Sequence, residues 1–164
     1  MKVATKDSQY LLQPQHQQAW FKHLGWVPQL AQLAQGTLRQ QFTLISESIT
    51  DAQIEKLLAR CGLDMQDLPQ GLESNLGQTG ENASAASGGQ IRKVAIARSL
   101  ASFPQLLVAD EPTADLDSDS AEKVMQTLRD YATSGAIVVC ITHDLSILRP
   151  GDSQQSFVAG GIST

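Results

Sequence analysis

Three clusters in this 164-residue chain carry side chains able to do chemistry. Asp110-Glu111 follows the apolar run Leu106 to Ala109, and Thr142-His143-Asp144 follows a second run, Ile137 to Ile141. A carboxylate at the tip of a buried strand can hold Mg²⁺, directly or through water, because a hard cation takes oxygen ligands. A second carboxylate beside it, with an imidazole in reach, can orient a water for attack on a phosphoryl group. The third cluster, Ser87-Gly88-Gly89-Gln90, opens a helical pattern and offers an anion bare backbone N–H groups and the positive end of a helix dipole. Each cluster alone also has a plainer reading. Asp-Glu-Pro suits a strand-to-turn transition with solvated acids, a single histidine suits a packed or surface position, and Ser-Gly-Gly-Gln is an ordinary helix start. Their order and spacing give them weight, with Gln90 standing 20 residues before Asp110.

The elements that must position these groups follow from hydrophobic periodicity. Ile91, Val94, Ala95 and Arg98 mark a helix that begins at Ser87-Gly88-Gly89 and ends before Pro104. Leu106 to Ala109 and Ile137 to Ile141 are uninterrupted apolar runs, read as strands buried on two faces in a parallel sheet covered by helices. Between them, Ser118 to Tyr131 has Ala121, Val124, Met125 and Leu128 on one side of a helix. Strand, helix, strand implies a crossover that brings both strand ends to one sheet edge, where open α/β sheets bind ligands. Upstream, Gln15 to His23 suits a short helix ended by Gly25 to Pro28. Asp51 to Cys61 suits another, started at Thr50 and stopped by Gly62. Residues 64 to 86 are punctuated by Pro69, Gly71, Gly77 and Gly80 and read as loop-rich.

Composition sets the outer bounds. The chain is 41% apolar and 18% charged with a net charge of −5, which describes a globular domain rather than a disordered one. Lys2, Lys6, Lys22 and Arg39 against Asp7 make residues 1 to 45 basic by three charges, so the remainder is acidic by eight. That acidity argues against sequence-independent nucleic-acid binding. No apolar run reaches membrane-spanning length, and the first residues lack a signal peptide's apolar segment. Cys61 and Cys140 stand far apart with no metal-ligand spacing, as expected of reduced thiols in a cytosolic compartment. The ten glutamines up to Gln41 alternate with apolar residues such as Leu24, Trp26 and Val27, which favours folded structure over a low-complexity tract.

Five motifs, in one order, resemble the nucleotide-binding domain of an ATP-binding-cassette (ABC) transporter. Ser87 to Leu100 resembles the signature motif and its helix, and Leu106 to Glu111 the Walker B strand with its glutamate. Pro112 to Asp117 resembles the D-loop, His143 the switch histidine, and Gln29 in Trp-Val-Pro-Gln the Q-loop glutamine. The resemblance implies an α/β fold: a P-loop NTPase-like, mostly parallel sheet flanked by helices, with the family's α-helical subdomain at about 26–95, a catalytic core at 96–164, and an incomplete N-terminal part. It implies that Asp110 and Gln29 hold Mg²⁺, that Glu111 polarises the attacking water, and that His143 contacts the γ-phosphate. Gln29 also relays nucleotide state. Ser87, Gly88, Gly89 and Gln90 bind ATP held by an opposite subunit, and Asp117 helps to join the two. The implied partners are a second ABC ATPase domain and transmembrane domains, with no nucleic acid, at the cytosolic face of the inner or plasma membrane.

The departures are Ala86 for the usual leucine, Lys93 for arginine, Ala83 for a common glycine, and Asp115 in the D-loop. None removes a phosphate ligand or the base. A larger departure is that no Gly-x-x-x-x-Gly-Lys-Ser/Thr string occurs anywhere, nor is an adenine-stacking aromatic identifiable. Trp20 and Trp26 are expected to pack. The chain is therefore expected to begin inside the domain, to be inactive alone and to be poorly soluble. Gly36-Thr37-Leu38-Arg39, seven residues past Gln29, and Gly80-Glu81 are similar to exporter-type segments, including half-transporters of thiol export for cytochrome bd assembly. A DNA-repair or chromosome-organising ATPase would need a coiled coil between Gln29 and Ser87, which are only 58 positions apart. The expected function is ATP hydrolysis coupled to transmembrane export. The alternative is a non-catalytic cassette that only lends its signature motif to a partner.

Overall fold

The computed structural model describes residues 2–4, 9–11, 20–68, 70–76, 86–158 and 161–163, with side chains over 20–68, 70–76 and 86–156. Lys2–Ala4 (β1) and Gln9–Leu11 (β2) form an antiparallel pair. The strands that matter for the site are Leu24–Val27 (β3), Leu106–Asp110 (β4) and Ile137–Ile141 (β5), a parallel sheet with β4 in the middle. Val27, Ala109 and Cys140 lie abreast, and Asp110 lies abreast of Ile141, so all three strands deliver their C-terminal ends to one edge. Ser156–Val158 (β6) and Gly161–Ser163 (β7) close the described chain as an antiparallel pair.

Four α-helices are described: Leu38–Thr43 (α1), Asp51–Arg60 (α2), Gly88–Leu100 (α3) and Ser118–Thr133 (α4). The first three start with the same local device. Thr37, Thr50 and Ser87 each accept from the backbone N–H three residues on, and Gln40, Gln53 and Gln90 each reach back to the cap's own N–H. This reciprocal arrangement satisfies two donors that a helix start otherwise leaves without partners. At α4 the Asp117 carboxylate plays the cap, accepting from Ser120 N–H at 2.9 Å.

Helix α3 packs on β3 and β4, α4 on β5, and α2 against both helices. Ile54, Leu58, Val94, Ile96, Leu107 and Leu128 are buried between these layers. Gly25 lets β3 approach closely, since a Cβ there would lie 2.7 Å from Leu107 Cδ1 and 2.8 Å from Pro104 Cγ. Polar ties join the elements: Thr127 Oγ1 donates to the Arg60 carbonyl at 2.6 Å, and Lys93 Nζ to the Gly62 carbonyl at 2.9 Å.

The helices at Asp51, Ser87 and Ser118 and the strands at Leu106 and Ile137 stand where the sequence predicts them. Three features differ. Gly25 to Pro28, read as a helix end, overlaps the strand β3, whose short Leu-Gly-Trp-Val run is too brief to show a period. Helix α1 has no counterpart among the expected elements, although Thr37-x-x-Gln40 is its start signal. Burial on two faces also fails: Ile137, Val139 and Ile141 alternate outward at 65%, 43% and 49% exposure, and Trp26 is half exposed rather than packed. Trp26, Val108 and Val139 share that open face by register. Of the helix expected over 15–23, residues 15–19 lie outside the described residues, as do Gly80, Glu81 and Ala83.

Candidate functional site

The turn after β4 is the centre of the site. Asp110 is the last residue of the strand, and Glu111 takes left-handed backbone with φ of 48°. Its N–H donates to the Ile141 carbonyl at 2.8 Å, which fastens the turn to the end of β5. Its carboxylate then meets the segment that follows β5. Glu111 Oε1 lies 2.6 Å from His143 Nδ1 and accepts from His143 N–H at 3.2 Å. Oε2 accepts from the Thr142 hydroxyl at 3.2 Å, and that hydroxyl in turn accepts from Asp144 N–H at 3.0 Å.

The electrostatics follow from this contact. Burial raises the pKa of Glu111, but the hydrogen bond and charge of His143 and the Thr142 hydroxyl outweigh it and hold the carboxyl below its ordinary value. The Glu111 hydrogen bond and charge push His143 above the ordinary histidine value, while desolvation opposes them. The imidazole itself is 89% exposed, so its Nε2 side faces open solvent rather than the core.

Gln29 is exposed two residues beyond the end of β3, at the same sheet edge. Its backbone carbonyl accepts from Arg92 Nη2 at 2.7 Å, while Arg92 Nη1 donates to the Glu111 carbonyl at 3.0 Å. One buried guanidinium therefore touches the backbones of two residues that are 82 positions apart in the chain. Arg92 was missed in the sequence. The signal that could have found it is the apolar run Val94 to Ala97, which makes α3 a helix enclosed on several sides, so that a neighbouring charge must be paired.

The tip of α3 lies beside the turn that leads into α4. Ser87 to Gln90, Lys93 and Asp115 to Asp117 line a hollow of about 420 Å³. Gly88 is exposed, and a Cβ there would meet nothing within 4 Å. Gly89 is different, since its Cβ would press on the Asp115 carbonyl at 3.2 Å and Leu116 Cδ2 at 3.3 Å. Asp115, the D-loop departure, holds left-handed backbone at φ of 62°, a conformation that aspartate tolerates better than most residues. Asp117 is committed to capping, with its two oxygens on Ser120 N–H and Ser120 Oγ at 2.9 Å and 2.7 Å. These hydrogen bonds hold its carboxyl below the ordinary range.

The donor set suits a phosphate-bound cation. Among the described residues no cluster of three or more His, Cys, Asp or Glu could hold a metal by itself. Asp110 and Gln29 provide oxygen at one edge, and Mg²⁺ commonly takes one or two protein oxygens and completes its shell with water and substrate phosphate. The open space at Gly88 and the Gly88 and Gly89 amides, which the capping box does not engage, suit a phosphate arriving from outside the chain.

A parallel sheet flanked by helices, with an acid pair and imidazole at its edge beside a glycine-tipped helix, has the architecture of a P-loop nucleoside-triphosphatase fold. The chain belongs to the ABC transporter family, whose model matches residues 2–114. It is 34% identical over 137 residues to the glutathione/L-cysteine transport system ATP-binding/permease protein CydD of Escherichia coli K12, covering 82% of this chain and 23% of that protein. It is also 34% identical over 134 residues to the ABC transporter BEA3 of Gibberella fujikuroi, covering 80% of this chain and 10% of the relative. Among solved structures, a bacterial Atm1-family ABC exporter with ATP bound matches with a TM-score of 0.66 and 29% identity, over 76% of this chain and 22% of that one. The chain thus corresponds to part of the ATP-binding domain of exporter-type proteins and spans only a tenth to a quarter of the length of these curated relatives.

Proposed function

We propose that this chain contributes the hydrolytic and signature parts of an ATPase that couples ATP hydrolysis to export across a membrane. The observation that carries the reading is the 2.6 Å contact between Glu111 and His143 at the sheet edge where Asp110 also ends. In this reading Asp110, with Gln29, holds Mg²⁺, which supplies charge neutralisation for the phosphates. Glu111 orients the attacking water, kept ionised by His143 and Thr142. His143 turns its exposed side toward the γ-phosphate. Gly88 and Gly89 offer the amides that the capping box does not engage, Ser87 its hydroxyl proton and Gln90 its side-chain NH2 to a nucleotide held by a second ATPase domain, and Asp117 shapes that interface while capping α4.

The division into a helical part at about 26–95 and a core at 96–164 belongs to the same proposal, as do transmembrane partners and a place at the cytosolic face. Arg92 in the first part reaches backbone in the second, so the two are fastened at the site itself. No Gly-x-x-x-x-Gly-Lys-Ser/Thr string is present in these 164 residues, so the triphosphate's other cradle is assigned to none of them.

The test is ATP turnover by the transporter that contains this chain. Glu111→Gln is expected to lower turnover by about 10²- to 10⁴-fold while leaving nucleotide binding in place. Turnover within a few-fold of the parent would overturn the role given to Glu111. Purified alone, the chain is expected to show no Glu111-dependent hydrolysis, and measurable hydrolysis of that kind would refute the shared site.

A further inference from the structure

Arg92 is the one charged side chain in the buried set among the described residues, 4% exposed. A cation placed there needs its partners close. It donates to the Glu111 carbonyl at 3.0 Å and the Gln29 carbonyl at 2.7 Å, and its Nη2 lies 3.8 Å from Asp115 Oδ2. Its Nε has no hydrogen-bond partner among the described residues. Two of its three partners, Glu111 and Asp115, are non-glycine residues with left-handed backbone, and Phe103 is the only other one described. Such backbone persists only where surrounding groups over-determine it.

The geometry points to Arg92 as a positioning residue: from the signature helix it locks the turn after β4 in the conformation that aims the Glu111 carboxylate at His143. The same guanidinium ties the D-loop, through Asp115, and the Gln29 loop to that point. The tip of α3 and the acid at the end of β4 therefore move as one body. A lysine cannot reproduce this, because it is a point charge without the planar fork that serves carbonyls in two directions. The departure at Asp115 also gains a reason, since it supplies the carboxylate that faces this cation. The inference deepens the role proposed for Glu111 and rests on that reading only for its catalytic meaning.

The test uses the whole ATP-binding domain that contains this chain, in solution without nucleotide. Long-range ¹H–¹⁵N spectra of the imidazole report how the His143 ring nitrogens are protonated and hydrogen-bonded. Arg92→Gln is expected to move the His143 signals to the positions seen in Glu111→Gln, with far-UV circular dichroism unchanged, and Arg92→Lys is expected to fall between the two. In the Glu111→Gln background, Arg92→Gln should cause no further displacement. Parental His143 signals in folded Arg92→Gln would overturn the inference, because a purely structural arginine would lower stability and leave the ring unmoved. Should Arg92→Gln not fold, Arg92→Lys decides by the same criterion. In the parent, separately resolved and slowly exchanging Nη protons of Arg92 are also required, and averaged ones count against it. Loss of the Glu111 hydrolytic role would appear only in ATP turnover, so the two failures are distinguishable.

Discussion

At the scale of single residues, the Glu111 and His143 pair makes a pH-dependent claim. His143 is raised above its ordinary value by Glu111, so its contribution to stability is full below the unfolded histidine pKa and is lost as pH rises through the raised folded value. Glu111 is lowered, so its contribution is present above the unfolded carboxyl value and is lost as pH falls through the depressed one. Both groups are charged in the window between those two folded values. Titration of His143 by NMR should therefore give a midpoint above about 6.5, returning toward that value in Glu111→Gln. An unshifted parent midpoint would remove the contact. The two signature glycines separate packing from ligand access. Gly88→Ala, whose Cβ meets nothing, should melt no lower than the parent, whereas Gly89→Ala presses on Asp115 and Leu116 and should melt lower. A lower midpoint for Gly88→Ala than for Gly89→Ala in calorimetry would contradict that geometry.

At the scale of elements, the helices are held by caps and the strands by close approach. Thr50 accepts from Gln53 N–H at 3.4 Å and Gln53 returns the contact at 2.8 Å, so Thr50→Ala removes the cap of α2. A lost cap costs about 1 kcal/mol, which in a domain of this size lowers the melting midpoint by about 2–4 °C. An unchanged midpoint would show that α2 is held by its buried Ile54 and Leu58 alone. Gly25→Ala is the sharper case. Its Cβ would stand well inside contact distance of Leu107 and Pro104, and such overpacking typically costs about 1–3 kcal/mol. Denaturant unfolding of Gly25→Ala should show that loss, and parental stability would mean that β3 is free to shift away from β4.

At the scale of the whole molecule, the sheet is covered on one side only among the described residues. Trp26, Val139 and Ile141 leave apolar surface in water, and exposed patches of this kind drive association. The isolated chain should sediment with a concentration-dependent mass, reduced in Val139→Thr, and a monodisperse monomer at all concentrations would count against this. Much of the site was legible in one dimension. Helix starts announce themselves through Ser87 and Gln90 or Thr50 and Gln53, because a cap and its partner are three residues apart and need nothing distant. Asp110, Glu111 and His143 could be placed at one edge because consecutive parallel strands end on the same side. The family likewise follows from the order of short motifs, each readable in its own stretch of chain. Folding alone decided three other things: that β3 is a strand, that one face of the sheet stands open among the described residues, and that Arg92 binds the Gln29 and Glu111 backbones together. Each depends on which groups meet across long chain separations, and burial and hydrogen bonding between such groups leave no period or spacing in the sequence from which they could be read.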